Sequence, residues 1–539
     1  MNILNNNRLK RFYAFIKENI VTIIVSVAVV LGALSLFLIV TDTEIVKSDN
    51  GVTYKHVINQ RFGISNLKTL NPITSKDRDT YYIDKLIYNG LFKQDNNMGV
   101  STDLVQSYNT NPASGSVTIT LKSNVKFHDG SSLNAGDVDY TYRYIVSSGK
   151  DGMYYDIAKK IDSISVLSNL KLKIYFKDPS DAALDNLTFP ILNEGDGSSS
   201  SSFRPNGTGQ YKISSVQSGK CVKLKPNKDY FGEVAENHLY FEIFPKSTIY
   251  KNLLSSYEIT ALVYKQFDID EISESSDITR QLIPSNQMEY IGFNFKNKNL
   301  ANIKLRKAIA YSLDLQDVTK NAYGSTALIS DSVYFPEYFG TENEGDPYPC
   351  NFNKAIDLID KMNLMDTDKD GYLDNIDGDT LEFKILVNNN DSNRMLVANY
   401  LSECLDALQI KNEVEALSWE SYKTSLKKGD FDIVIGGYEL NSHDKLDFLF
   451  DKQNYIGYDN ENVRDLVSNL GKCASVEYTK ENFVKLKNEL VKDLPYYCIC
   501  FKQYSLLGSP NMEFEELPNF DNVYKGVSTW EFEKRYKDK

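Results

Sequence analysis

Histidine is scarce. The 539 residues hold four, His56, His128, His238 and His443, all far apart in the chain. There is no H-E-x-x-H, no G-x-S-x-G and no G-x-x-x-x-G-K-[ST], so the zinc-protease, hydrolase and P-loop chemistries that need those residues at those spacings are absent. Ser65–Lys68 and Ser425–Lys428 each match S-x-x-K, but the companion S-D-N and K-T-G are missing, which leaves a membrane-tethered hydrolase a poor reading. Cysteine is thin as well: Cys221, Cys350, Cys404, Cys473, Cys498 and Cys500 are scattered, and no paired C-x₂₋₄-C needed for structural zinc occurs. Only Cys498 and Cys500 are close, on one face if they lie in a strand. Buried free thiols are expected, with one or two disulfides open to a domain outside the cell.

Positive charge is in deficit. Lys and Arg number 60 against 73 Asp and Glu, a net charge of −13. That argues against nucleic acid or anionic lipid as the main partner and fits an acidic, soluble surface. Tryptophan occurs twice, whereas Tyr (36) and Phe (27) are plentiful and supply flat apolar area, in Tyr with one polar handle.

One stretch lacks charge altogether. Ile20–Val40 runs twenty-one residues without an Asp, Glu, Lys or Arg, roughly 30 Å as a helix and enough to span a bilayer core. Arg8, Lys10, Arg11 and Lys17 precede it, so the positive-inside rule keeps residues 1–19 in the cytoplasm and places everything after a linker (41–51) outside. A cleaved signal peptide is the alternative, but its apolar core is normally about 7–15 residues. No Cys near the end of the run offers a lipid anchor. The expectation is a single-pass signal-anchor in the cell membrane with an extracellular C-terminal part.

That part is close to 500 residues, too long for one core, and 42% hydrophobic with 25% charged residues is ordinary for folded domains. Alternation predicts strands at Ser116–Leu121 and Leu170–Phe176, the latter hairpinned to Ile164–Leu167, with a helix opening at Asp137 between them. Further strands are expected at 239–244, 290–295, 381–387, 431–435 and 496–501. Helices are expected at 305–313, 353–362, 391–409, 419–426, 461–470 and 480–492. Such alternation predicts α/β layers.

Val125–Val138 reads VKFHDGSSLNAGDV. With it run, in order, Thr69-Leu-Asn-Pro72, Ile87-Tyr-Asn-Gly-Leu-Phe92, Leu104–Tyr108, Pro205-Asn-Gly-Thr-Gly-Gln-Tyr211, Asn227-Lys-Asp-Tyr-Phe-Gly232, Tyr290–Asn294, Leu305–Asp314, Gly429–Asp432, Tyr458-Asp-Asn460 and Leu494-Pro-Tyr496. Together these resemble the extracellular solute-binding proteins of ABC importers, the oligopeptide, dipeptide and nickel-binding class (family 5), across essentially the whole external part. The resemblance implies a two-lobed, periplasmic-binding-protein-like (type II) α/β clamp with an extra subdomain, here preceded by one N-terminal transmembrane helix. One lobe would take 52–88, 207–288 and 505–539, the extra subdomain 89–206, and the second lobe 289–504. Hinge closure would trap a short peptide, or another small polar solute, and deliver it to the permease subunits of an ABC transporter. No cofactor is required, no enzyme activity follows, and a monomeric ectodomain is expected. A peptide-sensing receptor without transport is the alternative, because a transmembrane helix replaces the lipid anchor common among Gram-positive members.

The family's segment G-W-x-A-D-Y-x-D-P, whose first acid grips a peptide amino terminus, is replaced here by Gly436-Gly-Tyr-Glu-Leu-Asn-Ser-His-Asp444. Glu439 and Asp444 are the acids nearest to that role. Tyr438, Trp419 and Tyr422 are candidates to line the cleft, with Asn71 as a further contact. The His128-Asp129-Gly130 turn reads as structural. Separately, Asp366, Asp368, Asp370, Asp374 and Asp377 fall at positions 1, 3, 5, 9 and 12 of a loop with Gly371 at 6 and the Tyr372 carbonyl at 7, a spacing that wraps Ca²⁺. A solvated acidic turn is the equal alternative, and any calcium there would be structural.

Overall fold

The structure, a computed structural model, describes residues 43–48, 51–56, 59–95, 98–179, 184–196, 203–244, 254, 259–265, 278–324, 326–440, 446–470, 476–508 and 512–530. The apolar run 20–40 lies outside these. Among the described residues no helix is long and apolar enough to cross a membrane.

Two long strands carry the architecture. Thr279–Phe293 and Tyr496–Gly508 run antiparallel from Thr279 opposite Gly508 to Gly292 opposite Tyr496. On one side their first and last residues continue through Ala261–Tyr264, Asn59–Ile64, His238–Ile243, Cys221–Pro226 and Tyr211–Gln217. On the other side Thr279–Phe293 pairs with Ile433–Glu439, followed by Glu382–Asn388 and Lys411–Leu417 in parallel. The result is an eleven-stranded mixed sheet whose two halves share only this central pair. Between them the register slips: Pro284 faces Gln503 but Met288 already faces Phe501. The residues in the slip, Ser285 and Asn286, are buried. Leu440 N donates to Asn286 O at 2.8 Å and Asn286 Nδ2 returns a bond to Leu440 O, so the bulge is pinned to the exit of the neighbouring strand. A bulge of this kind bends and twists a strand.

Helices cover the second half-sheet. Ile303–Ser312, Leu315–Tyr323 and Ser392–Ala407 bury Leu305, Ile309, Val318, Leu401 and Leu405 against Phe293, Ile385 and Ile433. The helices begin where capping residues satisfy their free N–H groups: Asn302, Asp314 and Asp391 each accept from the first turn.

A separate four-stranded sheet, in the order Val105–Asn111, Ser116–Leu121, Lys171–Phe176, Ile161–Ser168, packs on helix Ala135–Ser148. That helix starts at a capping box: Asn134 Oδ1 accepts from Gly136 N and Asp137 Oδ2 accepts from Asn134 N at 2.8 Å. The structural reading of His128 fits the geometry, because its backbone N donates to Gly207 O at 2.9 Å and Nε2 lies 3.1 Å from Gly209 O. Burial lowers the His128 pKa to about 4, so the ring is neutral near pH 7. Gly207 packs under helix Arg78–Ile87 so closely that a Cβ would lie 1.9 Å from Ile87 O.

Most expected elements form within a residue or two. The two central strands are about twice as long as alternation implied, because Tyr496–Gly508 is buried on both faces and carries no period, and the bulge after Pro284 interrupts the pattern of Thr279–Phe293. Strands at 59–64, 211–217, 221–226, 261–264 and 411–417 were not expected from the pattern. They are short, and pairing holds them more than sequence does.

Candidate functional site

A cavity of about 360 Å³ lies beside the bulge of the central pair. One wall is the start of helix Arg78–Ile87. Asp77 caps it by accepting from Asp79 N and Thr80 N, which puts Arg78 in the first turn. Arg78 Nη2 reaches Glu439 Oε1 at 2.9 Å, at the end of strand Ile433–Glu439 from the opposite half. Tyr81 and Asp521 continue this wall, Asn286 and Leu440 of the pinned bulge form the back, and Lys159, at the end of helix Tyr155–Ala158, closes a side.

The charges of the wall are organised. Asp521 accepts from Lys85 Nζ at 2.7 Å and from the Tyr81 hydroxyl, and Lys85 Nζ sits 4.8 Å from the Tyr81 ring centre. Desolvation works against the Lys85 charge, but Asp521 overrides it and raises the pKa, so the ammonium stays charged. The cavity is therefore amphipathic, with aromatic faces and fixed charges of both signs, as a site for a short polar solute requires.

A second charge cluster sits where the central pair enters the second half. Glu289, 1% exposed, receives Arg394 Nε at 2.7 Å and Nη2 at 3.1 Å, and Lys502 Nζ at 2.8 Å. A Cβ on Gly437 would lie 2.1 Å from Arg394 Nη2 and 2.6 Å from Glu289 Oε2. The Gly436-Gly437 pair, standing where the family pattern has Gly-Trp, is thus what lets the guanidinium lie against the strand.

Of the residues singled out in the sequence, Glu439 reaches the cavity through Arg78. Tyr438 packs on Phe448 with ring centres 4.6 Å apart. Tyr422 is buried and donates to Ile435 O at 3.0 Å, and Trp419, 47% exposed, stacks on it at 5.7 Å. Asn71 is buried, accepting from Ile73 N at 2.9 Å and donating to Tyr144 Oη at 3.0 Å, a turn-fixing arrangement. Asp444 lies outside the described residues. Arg78, Tyr81, Lys85, Asp521, Glu289 and Arg394 were not singled out. Asp521 meets Tyr81 and Lys85, and Arg394 meets Glu289, only across 440, 436 and 105 residues of chain.

In the aspartate loop, Asp366, Asp368 and Asp374 bring one carboxylate oxygen each within 4.8 Å of one another. Asp370 and Asp377 stand outside that group: Asp370 Oδ1 accepts from Tyr372 N at 2.8 Å, and Asp377 is exposed with its N on Asn375 Oδ1. Asp366 meanwhile accepts from Lys369 N and Gly371 N, and Asp374 from Thr367 N. The donor set is hard oxygen, which suits calcium.

Comparison with known proteins bears on the fold and the family. Over 476 residues the chain is 23% identical to the oligopeptide-binding protein AppA of Bacillus subtilis (strain 168), covering 82% of this chain and 86% of that protein. The structure of the same AppA in complex with a nonapeptide superposes with a TM-score of 0.56 at 21% identity, over 88% of this chain and 99% of that one. NikZ from Campylobacter jejuni, in complex with Ni(L-His), superposes with a TM-score of 0.58 at 22% identity and the same coverage. The fold is thus the two-lobed one of periplasmic binding proteins. Residues 99–454 match the family described as bacterial extracellular solute-binding proteins, family 5 (middle), and the chain belongs to that family.

Proposed function

We propose that the protein captures a short peptide, or another small polar solute, between its two lobes and hands it to the permease of an ABC importer. The reading rests on the cavity, whose walls come from helix Arg78–Ile87, the stretch 153–160, the bulge at Asn286 and Leu440, and Phe520 and Asp521. A cavity built this way changes shape whenever the two central strands bend at Ser285–Asn286. The division into lobes at 52–88, 207–288 and 505–539 against 289–504, with 89–206 as the extra subdomain, follows the same bulge. Relatives named for oligopeptides support a peptide, and the AppA complex shows that the fold accepts one. The uncharged run 20–40 would anchor the protein in the membrane with this domain outside. Binding needs no cofactor and no reaction, and one copy of the chain forms the cavity.

The test is native mass spectrometry of the full-length protein in detergent, as purified and again after unfolding and refolding. A heterogeneous set of adducts with peptide masses, lost on refolding, supports peptide capture. A single small adduct points to one specific solute. No adduct, with no thermal shift from a di- to pentapeptide library, sinks the reading.

A further inference from the structure

Behind the cavity lies a second chamber of about 200 Å³, and the two share Tyr154, Thr188 and Asp521 as a common wall. Asp84, on the face of helix Arg78–Ile87 away from Arg78, lines this chamber. It is 2% exposed, and neither carboxylate oxygen has a hydrogen-bond partner. An unpartnered buried carboxyl is costly, and native structures seldom keep one without a reason.

The lysines that line the chamber lie with other acids. Lys85 is bound to Asp521 at 2.7 Å and Lys525 to Glu516 at 2.6 Å, while Lys93 is exposed. A second buried acid of the wall, Asp103, accepts the amide of Asn89 at 3.0 and 3.2 Å and lies in the field of Lys93 and Lys122. Asp84 is therefore the buried acid of the chamber with no partner. Its remaining surface includes Tyr88, Tyr154 and Tyr230, whose ring faces also favour a positive charge.

We propose that this chamber is a subsite for a cationic group of the ligand, the ammonium or guanidinium of a basic peptide side chain, which enters past Tyr154 and Thr188 and pairs with Asp84. This rests on the peptide-capture reading and names the ligand class within it. The chamber is large enough for an alkylammonium chain and, when empty of ligand, for several waters. Such a ligand supplies the partner that Asp84 lacks. The carboxyl ionises as the cation arrives, and its proton leaves to solvent.

The experiment is calorimetric titration of the full-length protein in detergent with Ala-Lys-Ala and with Ala-norleucine-Ala, which differ in the terminal ammonium. The lysyl peptide is expected to bind about ten-fold tighter. In buffers of different ionisation enthalpy it should release up to about one proton per peptide, and the norleucyl peptide none. In Asp84→Asn, which keeps a neutral group of the same shape, the affinity ratio should fall to about one and the proton release should vanish. Equal affinities in the wild type, or a preference that survives Asp84→Asn, overturn the subsite and leave peptide capture standing. If neither these tripeptides nor a mixed peptide pool binds, peptide capture fails and the subsite falls with it.

Discussion

Arg78 and Glu439 are 361 residues apart in the chain and 2.9 Å apart in space, joining the first turn of helix Arg78–Ile87 to the last residue of strand Ile433–Glu439. The pair crosses the mouth of the cavity without being buried: their side chains are 32% and 52% exposed. An ion pair in that setting contributes about 0.2–1 kcal/mol, too little to hold the fold but enough to bias a hinge. Glu439→Lys, which sets two cations face to face, should leave the melting temperature within a few degrees and enlarge the radius of gyration in small-angle scattering. An unchanged radius would remove the latch role.

Glu289 belongs to a different regime. It is buried between Arg394 and Lys502, so deleting its carboxylate removes their shared anion and leaves Arg394 with Asp391 at 3.5 Å. Glu289→Ala should cost about 3–5 kcal/mol in urea unfolding, and Glu289→Gln less, because an amide oxygen still accepts. A loss under about 1 kcal/mol for the alanine variant would show the cluster to be solvated.

His128 gives the fold a pH dependence of known sign. Its pKa, lowered by burial to about 4, lies below the unfolded value of 6.5, so the unfolded chain binds the proton more readily. The contribution is complete above about pH 6.5 and is lost as the pH falls toward 4, an effect of about 3 kcal/mol. His128→Gln can still donate to Gly209 O but does not titrate. Unfolding free energies measured from pH 7 to 4 should fall more steeply for the wild type than for the variant, and parallel curves would contradict the assignment.

Two glycines separate steric from conformational demand. Gly207→Ala drives a Cβ into Ile87 O and should cost on the order of 3 kcal/mol or more. Gly130 has φ of +93° with nothing within 4 Å of its Cβ position, so Gly130→Ala carries only backbone strain, about 1–2 kcal/mol. Equal losses in chemical denaturation would mean that the Gly207 turn relaxes away from the helix.

The aspartate loop is tested with calcium itself. Addition of Ca²⁺ should raise the melting temperature and excess chelator should lower it, with both effects abolished in Asp366→Asn. Melting curves that ignore both additions would leave Asp366, Asp368 and Asp374 as a hydrogen-bonded acidic turn.

Much of the local structure was legible. The helix expected to open at Asp137 begins at Ala135, just before it, the helix expected from 391 starts at its cap Asp391, and strict alternation at Ser116–Leu121 gives a strand with one face inward, whereas Asp314, placed at the end of a helix, in fact caps the start of the next one. These signals work because each involves neighbours a few residues apart, whose spacing the backbone fixes. The ordered motifs from Thr69 to Tyr496 led to the same family that comparison assigns.

The site was not legible in that way. Trp419 and Tyr422, chosen as aromatic cleft residues, stack on each other at a helix start, and Asn71 holds a turn. Residue type could not separate an aromatic that packs from one that meets a ligand, since both need the same apolar face. Arg78, Asp84, Lys85, Asp521 and Glu289 acquire their roles from what the fold sets beside them. Asp84 is one more polar residue in a helix until burial removes its water and the neighbouring lysine turns to Asp521. The sequence by itself determined the elements, the family and the uncharged run that would anchor the chain, because those depend on short-range periodicity and composition. Only the tertiary structure decided which charges are paired and which are left waiting, because burial and distance, not residue identity, set the electrostatic energy of a charge.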